Sequence, residues 1–249
     1  MKELSLSASI LGTNCLRKLW LIANGIEGPE PDEATRRIFD IGRALEPVAI
    51  EWERRRGREV FYNSKSHEDE PDFVLKVGRG VIVGRFDAVF DREILVDIKT
   101  CSLNSFAKLL EGGVPWEWLV QVNVYFFGLK LGCCRDDIKE LVEGIRKVGI
   151  YGVHKESGRT VEVVKDPDLG IFESVLRKAS IVFSIEDPFV LSIDPEECNR
   201  CKFKGVCKDL GRYVDKVLEK RECEELRKEV RKPVQGNLFG EVEGNGKGG

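Results

Sequence analysis

Apolar residues recur along this chain at two spacings, and the alternation between the two divides it into blocks. From Glu33 to about Arg56, residues Ile38, Ile41, Leu45, Ala49 and Trp52 keep the three-to-four spacing of one helix face. Pro47 is expected to begin a new turn or kink that helix just after Glu46, because proline carries no N–H for the preceding turn. Residues 4–24 also read as a helix, with Leu4, Leu11, Leu16, Leu19 and Trp20 apolar and Arg17 and Lys18 polar. The turn-rich stretch 25–32 connects the two.

The spacing then shortens to that of strands, predicted over Glu59–Tyr62, Phe73–Val77, Val81–Phe90 and Glu93–Thr100, with a charged loop from Asn63 to Asp72. Helices are predicted at Leu103–Glu111, Trp116–Leu131 and near Asp136–Glu143. Strands Lys147–His154 and Thr160–Lys165 turn at Ser157-Gly158, and a helix follows from Asp168 to Ile185. Lys208–Arg231 reads as a charged helix and Lys232–Gly249 as a glycine-rich, disordered tail. Helices, a meander of strands, helices and more strands suggest an α/β or α+β fold built on a mixed sheet flanked by helices.

Composition narrows the class. Of the 249 residues, 42% are hydrophobic, enough for a packed core. No apolar run reaches the roughly 20 residues that span a bilayer. Ser, Asn and Arg interrupt the apolar residues of the N-terminus, unlike a signal peptide, so a cytoplasmic location is expected. The net charge of −3 gives no general attraction for nucleic acid, which would need a local basic patch. With two histidines and no nucleophile motif near them, serine-triad and histidine-rich zinc hydrolases are disfavoured. The high charged fraction and single methionine would suit a thermophile.

The candidate chemistry lies in two places. If Asp91-Arg92-Glu93 is a hairpin loop, Phe90 faces Ile94, Asp87 faces Asp97 and Arg85 faces Lys99. Asp97 and Lys99 then share one face, while Phe86, Ala88, Phe90, Ile94, Val96 and Ile98 fill the other. Two carboxylates on adjacent strands suit a hard cation such as Mg²⁺ or Mn²⁺, and a lysine beside them can orient water or stabilise developing negative charge. An ordinary solvent-facing charged hairpin is the plainer alternative. Gln121 and Tyr125, four apart, share a helix face, and Glu46 offers a third carboxylate.

The second place is a set of four cysteines: Cys15 near the start, and Cys198, Cys201 and Cys207 spaced C-x2-C-x5-C near the end. In a reducing compartment such a set reads as metal ligands more readily than as disulfides. It is compatible with zinc or with an iron–sulfur cluster, though zinc ribbons more usually have two C-x2-C pairs. Cys101, Cys133, Cys134 and Cys223 read as small buried or half-buried residues.

Taken in order, Gly42-Arg-Ala-Leu-Glu46, Gly84-Arg-Phe-Asp87, Asp97-Ile-Lys99 and Gln121-Val-Asn-Val-Tyr125 resemble the successive motifs of RecB-like PD-(D/E)XK nucleases. With Cys15-Leu-Arg-Lys-Leu-Trp20 and the C-terminal cysteines, the chain resembles the CRISPR-associated iron–sulfur exonuclease family from about residue 5 to 210. Two positions depart from that family, which often has His where this chain has Glu46 and Glu where it has Asp97. Glu46-Pro47 is closer to RecB-type or phage recombination exonucleases.

The resemblance implies a restriction-endonuclease-like α/β fold in four parts. These are residues 1–30 with one cluster ligand, a nuclease core over 31–190, an iron–sulfur segment and helix over 191–231, and the tail 232–249. It implies a metal-dependent DNA exonuclease acting on single strands or ends, trimming fragments for CRISPR adaptation alongside the integrase complex. Glu46, Asp87, Asp97 and the Ile98 carbonyl would hold Mg²⁺ or Mn²⁺. Lys99 would assist catalysis, and Gln121 and Tyr125 would position substrate or Lys99. Cys15, Cys198, Cys201 and Cys207 would hold a cluster, by resemblance 4Fe-4S, with Arg17, Lys18, Arg200, Lys202 and Lys204 near DNA. A recombination or repair nuclease unconnected with CRISPR, and a catalytically silent DNA-binding module, are the alternatives. Oligomeric state is left open.

Overall fold

The computed structural model describes residues 4–63 and 70–208. Residues up to Lys204 belong to one compact unit and those from Gly205 onward to a second. The predicted helix Lys208–Arg231, nearly all of it, and the tail lie outside the described residues, as does Cys223.

Among the described residues, two mixed sheets form instead of one. The first has four strands in the order β1 (Leu4–Ser7), β4 (Gly80–Gly84), β3 (Phe73–Val77) and β7 (Cys133–Cys134). Its β1–β4 pair is parallel and the others antiparallel. The second has five strands in the order β2 (Val60–Tyr62), β5 (Ala88–Phe90), β6 (Ile94–Cys101), β8 (Lys147–His154) and β9 (Thr160–Lys165). Here β6 and β8 run parallel.

Two differences from the sequence reading have physical causes. The predicted helix over 4–24 divides into β1, a 3-10 turn at Ala8–Ile10 and the helix α1 (Leu16–Ala23). Leu4-Ser-Leu-Ser alternates with period two, and hydrogen bonding to β4 outweighs local helix preference. The predicted strand Val81–Phe90 divides at Gly84–Asp87, where the chain leaves the first sheet for the second. Arg85 therefore does not pair opposite Lys99, although Phe90↔Ile94 and Ala88↔Val96 keep the expected hairpin register. Helix α2 (Glu33–Arg55) is continuous through Pro47. Asp32 caps it by accepting the Thr35 N–H at 2.8 Å.

Helices α3 (Leu103–Leu110), α4 (Trp116–Leu131) and α5 (Lys139–Gly144) follow closely where expected, and α6 (Leu169–Ser184) is capped by Asp168. Short helices α7 (Pro195–Cys198) and α8 (Lys204–Lys208) carry two of the cysteines. Cys133, in β7, is exposed rather than buried, whereas Cys101 is buried as expected.

The alternation of β6 explains how the core builds the site. Val96, Ile94 and Ile98 pack with Ala88, Phe90 and Tyr151 against Ala49 and Ile50 of α2. Cys101 packs with Val148 and Ile150 against Phe106, Leu109 and Val122 of α3 and α4. Asp97 and Lys99 lie between those positions and so point toward α4. Helix α4 is buried on almost every side from Val120 to Tyr125, so the polar tips of Gln121 and Tyr125 must find partners inside the protein.

Candidate active site

Those partners are Asp97 and Lys99. The Gln121 amide donates to Asp97 Oδ1 at 3.1 Å, and its oxygen accepts from Lys99 Nζ at 2.9 Å. Lys99 Nζ closes the ring on Asp97 Oδ2 at 2.8 Å. The same Gln121 amide donates to the Tyr125 hydroxyl at 2.6 Å. Each group in this ring fixes the direction of the next. Asp97 is buried, and its Oδ2 meets Lys99 as an ion pair without an aligned hydrogen bond.

Asp87 stands at the mouth of the hairpin. Its Oδ2 accepts the Ile98 N–H at 2.7 Å. In a strand, one residue's N–H and C=O point to the same side. The Ile98 carbonyl is therefore directed toward Asp87, beyond the last paired residue of β5. Glu46 approaches from α2, where its Oε1 accepts the Tyr62 hydroxyl at 3.3 Å.

The electrostatics match this crowding. Burial raises the Asp87 carboxyl well above the usual carboxylate range, and Asp97 and Glu46 push it further. For Lys99, burial pulls the ammonium down, but attraction to Asp97, Asp87 and Glu46 outweighs it and the net shift is upward. Lys99 thus stays charged. Burial, then Asp97 and Asp87, raises the Tyr125 phenol well above its ordinary value. Burial, then Glu46, pushes Tyr62 up to about 12, so both phenols remain neutral donors.

The donor set fits a hard divalent cation. Three carboxylates whose mutual repulsion is felt at Asp87, with a carbonyl beside them, are the oxygen ligands such ions take. Among the described residues, no three His, Cys, Asp or Glu side chains form a ready-made cage. An open cavity of about 510 Å³, lined in part by Ser7, Ser9, Gly84 and Arg85, meets the centre at Tyr125.

No known family profile matches the chain. No curated protein matches it. Among solved structures, it is similar to an alkaline exonuclease, LHK-Exo, from Laribacter hongkongensis. The identity is 13%, the match covers 72% of this chain and 86% of that one, and the TM-score is 0.48. The same enzyme in complex with dAMP aligns at 12% identity over 72% and 86%, with a TM-score of 0.48. A protein designated SSO0001 aligns at 17% identity over 83% and 87%, again at 0.48. At such identities and scores, no functional conclusion rests on these likenesses.

Cys15 is buried, and Cys198 and Cys201 are half-buried. Cys207 belongs to the second unit. Glu197, which the sequence did not single out, joins α7 to residues 13–18. Its Oε2 accepts from Thr13 Oγ1 at 2.5 Å and from Lys18 Nζ at 3.1 Å, and its Oε1 accepts the Asn14 N–H at 3.0 Å. Thr13 Oγ1 in turn accepts the Cys15 N–H at 3.3 Å. Thiols are the donor type that soft metals and iron–sulfur clusters take.

Two of the neighbouring cations, Arg17 and Lys18, are engaged within the fold. Arg17 donates to the carbonyls of Pro188, Phe189 and Leu191, and Lys18 is paired with Glu197. Glu197→Ala is expected to speed amide hydrogen exchange across residues 13–18, measured by mass spectrometry, and to leave β6 unchanged. Equal exchange in both proteins would show that Glu197 does not hold this turn.

Sequence reasoning also missed Tyr62, Asn63, Asp72 and Arg135, which act on the site from outside the hairpin. Tyr62, Asn63 and Asp72 touch it through contacts distant in sequence and Arg135 reaches it through Asn63 and Asp72, so no local spacing marks them.

Proposed function

We propose that this chain is a metal-dependent nuclease that hydrolyses DNA phosphodiesters, working as an exonuclease on single strands or ends. The observation that carries this reading is the ring joining Asp97, Lys99 and Gln121 beside Asp87 and Glu46. A structural ion pair would need neither the two further carboxylates nor an open cavity beside it. A divalent cation bound here would neutralise phosphate charge and make a water more acidic.

The chain's own residues then have separate tasks. Asp87, Asp97, Glu46 and the Ile98 carbonyl supply oxygen ligands. Lys99, held as an ammonium, offers positive charge to the phosphate oxygens as negative charge grows on them. Gln121 prevents Lys99 from swinging away, and Tyr125 sets the orientation of the Gln121 amide. The silent binding-module reading is disfavoured because Lys99 and the three carboxylates are all present and Lys99 is held by Asp97 and Gln121.

The finer reading rests on the sequence resemblance: trimming of DNA fragments for CRISPR adaptation, with the integrase complex as partner and a 4Fe-4S cluster on the four cysteines. Single-stranded DNA labelled separately at each end tests the activity. Anaerobically purified protein with Mn²⁺ or Mg²⁺ should shorten it progressively from one end, and a chelator should stop the reaction. Intact DNA with cluster-loaded, folded protein would overturn the nuclease reading. The same preparation should be brown and contain iron and acid-labile sulfide; zinc without sulfide would overturn the cluster.

A further inference from the structure

The segment Gly84–Asp87 leaves one sheet and enters another, so its backbone groups lose ladder partners just where a candidate metal ligand must be placed. Two residues at strand ends, Asn63 and Asp72, replace them, and a third, Arg135, holds those two. Asn63 follows β2, Asp72 precedes β3 and Arg135 follows β7. The Asp72 N–H donates to the Gly84 carbonyl at 2.9 Å, and Asp72 Oδ2 accepts the Phe86 N–H at 2.9 Å. The Asn63 side-chain amide donates to the Phe86 carbonyl at 2.9 Å, and the Asn63 N–H donates to the Asp87 carbonyl at 2.9 Å.

These holders are themselves held. Asn63 Nδ2 also donates to Asp72 Oδ2 at 2.6 Å. Arg135 Nη2 donates to Asn63 Oδ1 at 3.3 Å, and its Nη1 faces Asp72 Oδ1 at 3.5 Å. The Asp72 side chain is fully buried and that of Arg135 nearly so. Taking such a pair out of water is costly, and hydrophobic replacements of like volume are often as stable or more so. Global stability is therefore a weak explanation for it. What the pair does locally is fix the backbone on both sides of Arg85, and hence the direction in which Asp87 leaves the chain.

We propose that Asn63, Asp72 and Arg135 are positioning residues for Asp87, setting how tightly the centre holds its divalent cation. This rests on the nuclease reading above. Residues outside a metal's ligand set commonly change its affinity by about 10- to 100-fold.

The test is a Mn²⁺ titration of single-turnover DNA cleavage by the full chain, paired with calorimetric Mn²⁺ binding. It compares wild type, Asn63→Ala, Asp72→Asn and a remote control, Trp20→Phe. The control loses the indole N–H bond to the Ile185 carbonyl, far from the centre in sequence and on other elements. Asn63→Ala leaves the Asp72–Arg135 pair in place and guards against misfolding of Asp72→Asn. The expected result for Asn63→Ala and Asp72→Asn is a Mn²⁺ midpoint raised about 10-fold, with the rate at saturating Mn²⁺ near the wild-type value. The control should lose rate, if at all, with its midpoint unmoved. Midpoints equal to wild type in both Asn63→Ala and Asp72→Asn would overturn the proposal while leaving the nuclease reading intact. Wild type that neither cleaves nor binds Mn²⁺ would overturn both.

Discussion

Replacing Lys99 with alanine is expected to lower DNA cleavage by about 10²- to 10³-fold, the usual loss when one preorganised electrostatic donor is removed. The substitution takes away the only side chain of the Asp97–Lys99–Gln121 ring that carries positive charge. Substrate binding should change far less, because Lys99 is held back by Asp97 and Gln121. Its effect is largest when charge accumulates on the phosphate. The fold should survive, since Lys99 is only half-buried and Asp97 keeps its bond from Gln121. Single-turnover cleavage at saturating Mn²⁺, beside a thermal melt, measures both quantities. Wild-type cleavage by a folded Lys99→Ala protein would remove Lys99 from the chemistry and with it the proposed centre.

Gly128→Ala is expected to destabilise the protein by about 2 kcal/mol, within the range for overpacking a filled core, which amounts to a fall of several degrees in Tm. A methyl group at Gly128 of α4 would stand 2.2 Å from Phe73 Cε2 and 2.4 Å from its Cζ. Alanine is the better helix former by about 1 kcal/mol, so an unobstructed site would gain stability. Here the ring cannot retreat. On its other side a Cβ at Gly84 would lie 2.5 Å from Phe73 Cε1, so β4 is already in close contact. Tyr125 also packs edge-on against Phe73, with centroids 6.5 Å apart. Adding Phe73→Leu should recover part of the loss, a non-additivity that a double-mutant cycle would measure. A Gly128→Ala protein as stable as wild type would mean that the ring has room to move. Because Phe73 touches the strand end leading to Asp87 and packs on Tyr125, the substitution should also lower cleavage.

Much of the centre was legible in the residues because its parts obey local geometry. The two-residue step from Asp97 to Lys99 puts them on one face of a strand, and the four-residue step from Gln121 to Tyr125 puts them on one face of a helix. The hairpin register followed from Asp91-Arg92-Glu93, where Asp91 and Arg92 adopt positive φ and turn the chain. The apolar face of Ala88, Phe90, Ile94, Val96 and Ile98 formed as the alternation predicted. Phe86 is also buried but lies in the crossing segment, near the Phe61 ring.

Other features depended on partners far along the chain. Leu4–Ser7 is a strand only because β4 lies beside it, and a helix pattern and a strand pattern compete over so short a stretch. The break at Gly84–Asp87 interrupts a run that reads as one strand, since periodicity does not record which sheet a strand joins. Glu197 looks like one of many surface acids until Thr13, Asn14 and Lys18 converge on it. Asn63, Asp72 and Arg135 are ordinary polar residues at strand ends until the crossing segment needs their hydrogen bonds.

The sequence by itself determined which side chains share a face and which chemistry they could perform. The tertiary structure alone decided which faces meet, how the chain passes between its two sheets and which buried polar groups hold Asp87. The reason is physical: side-chain direction repeats with the backbone's own short period, whereas sheet pairing and buried hydrogen bonds are chosen by competition among distant segments for the same partners.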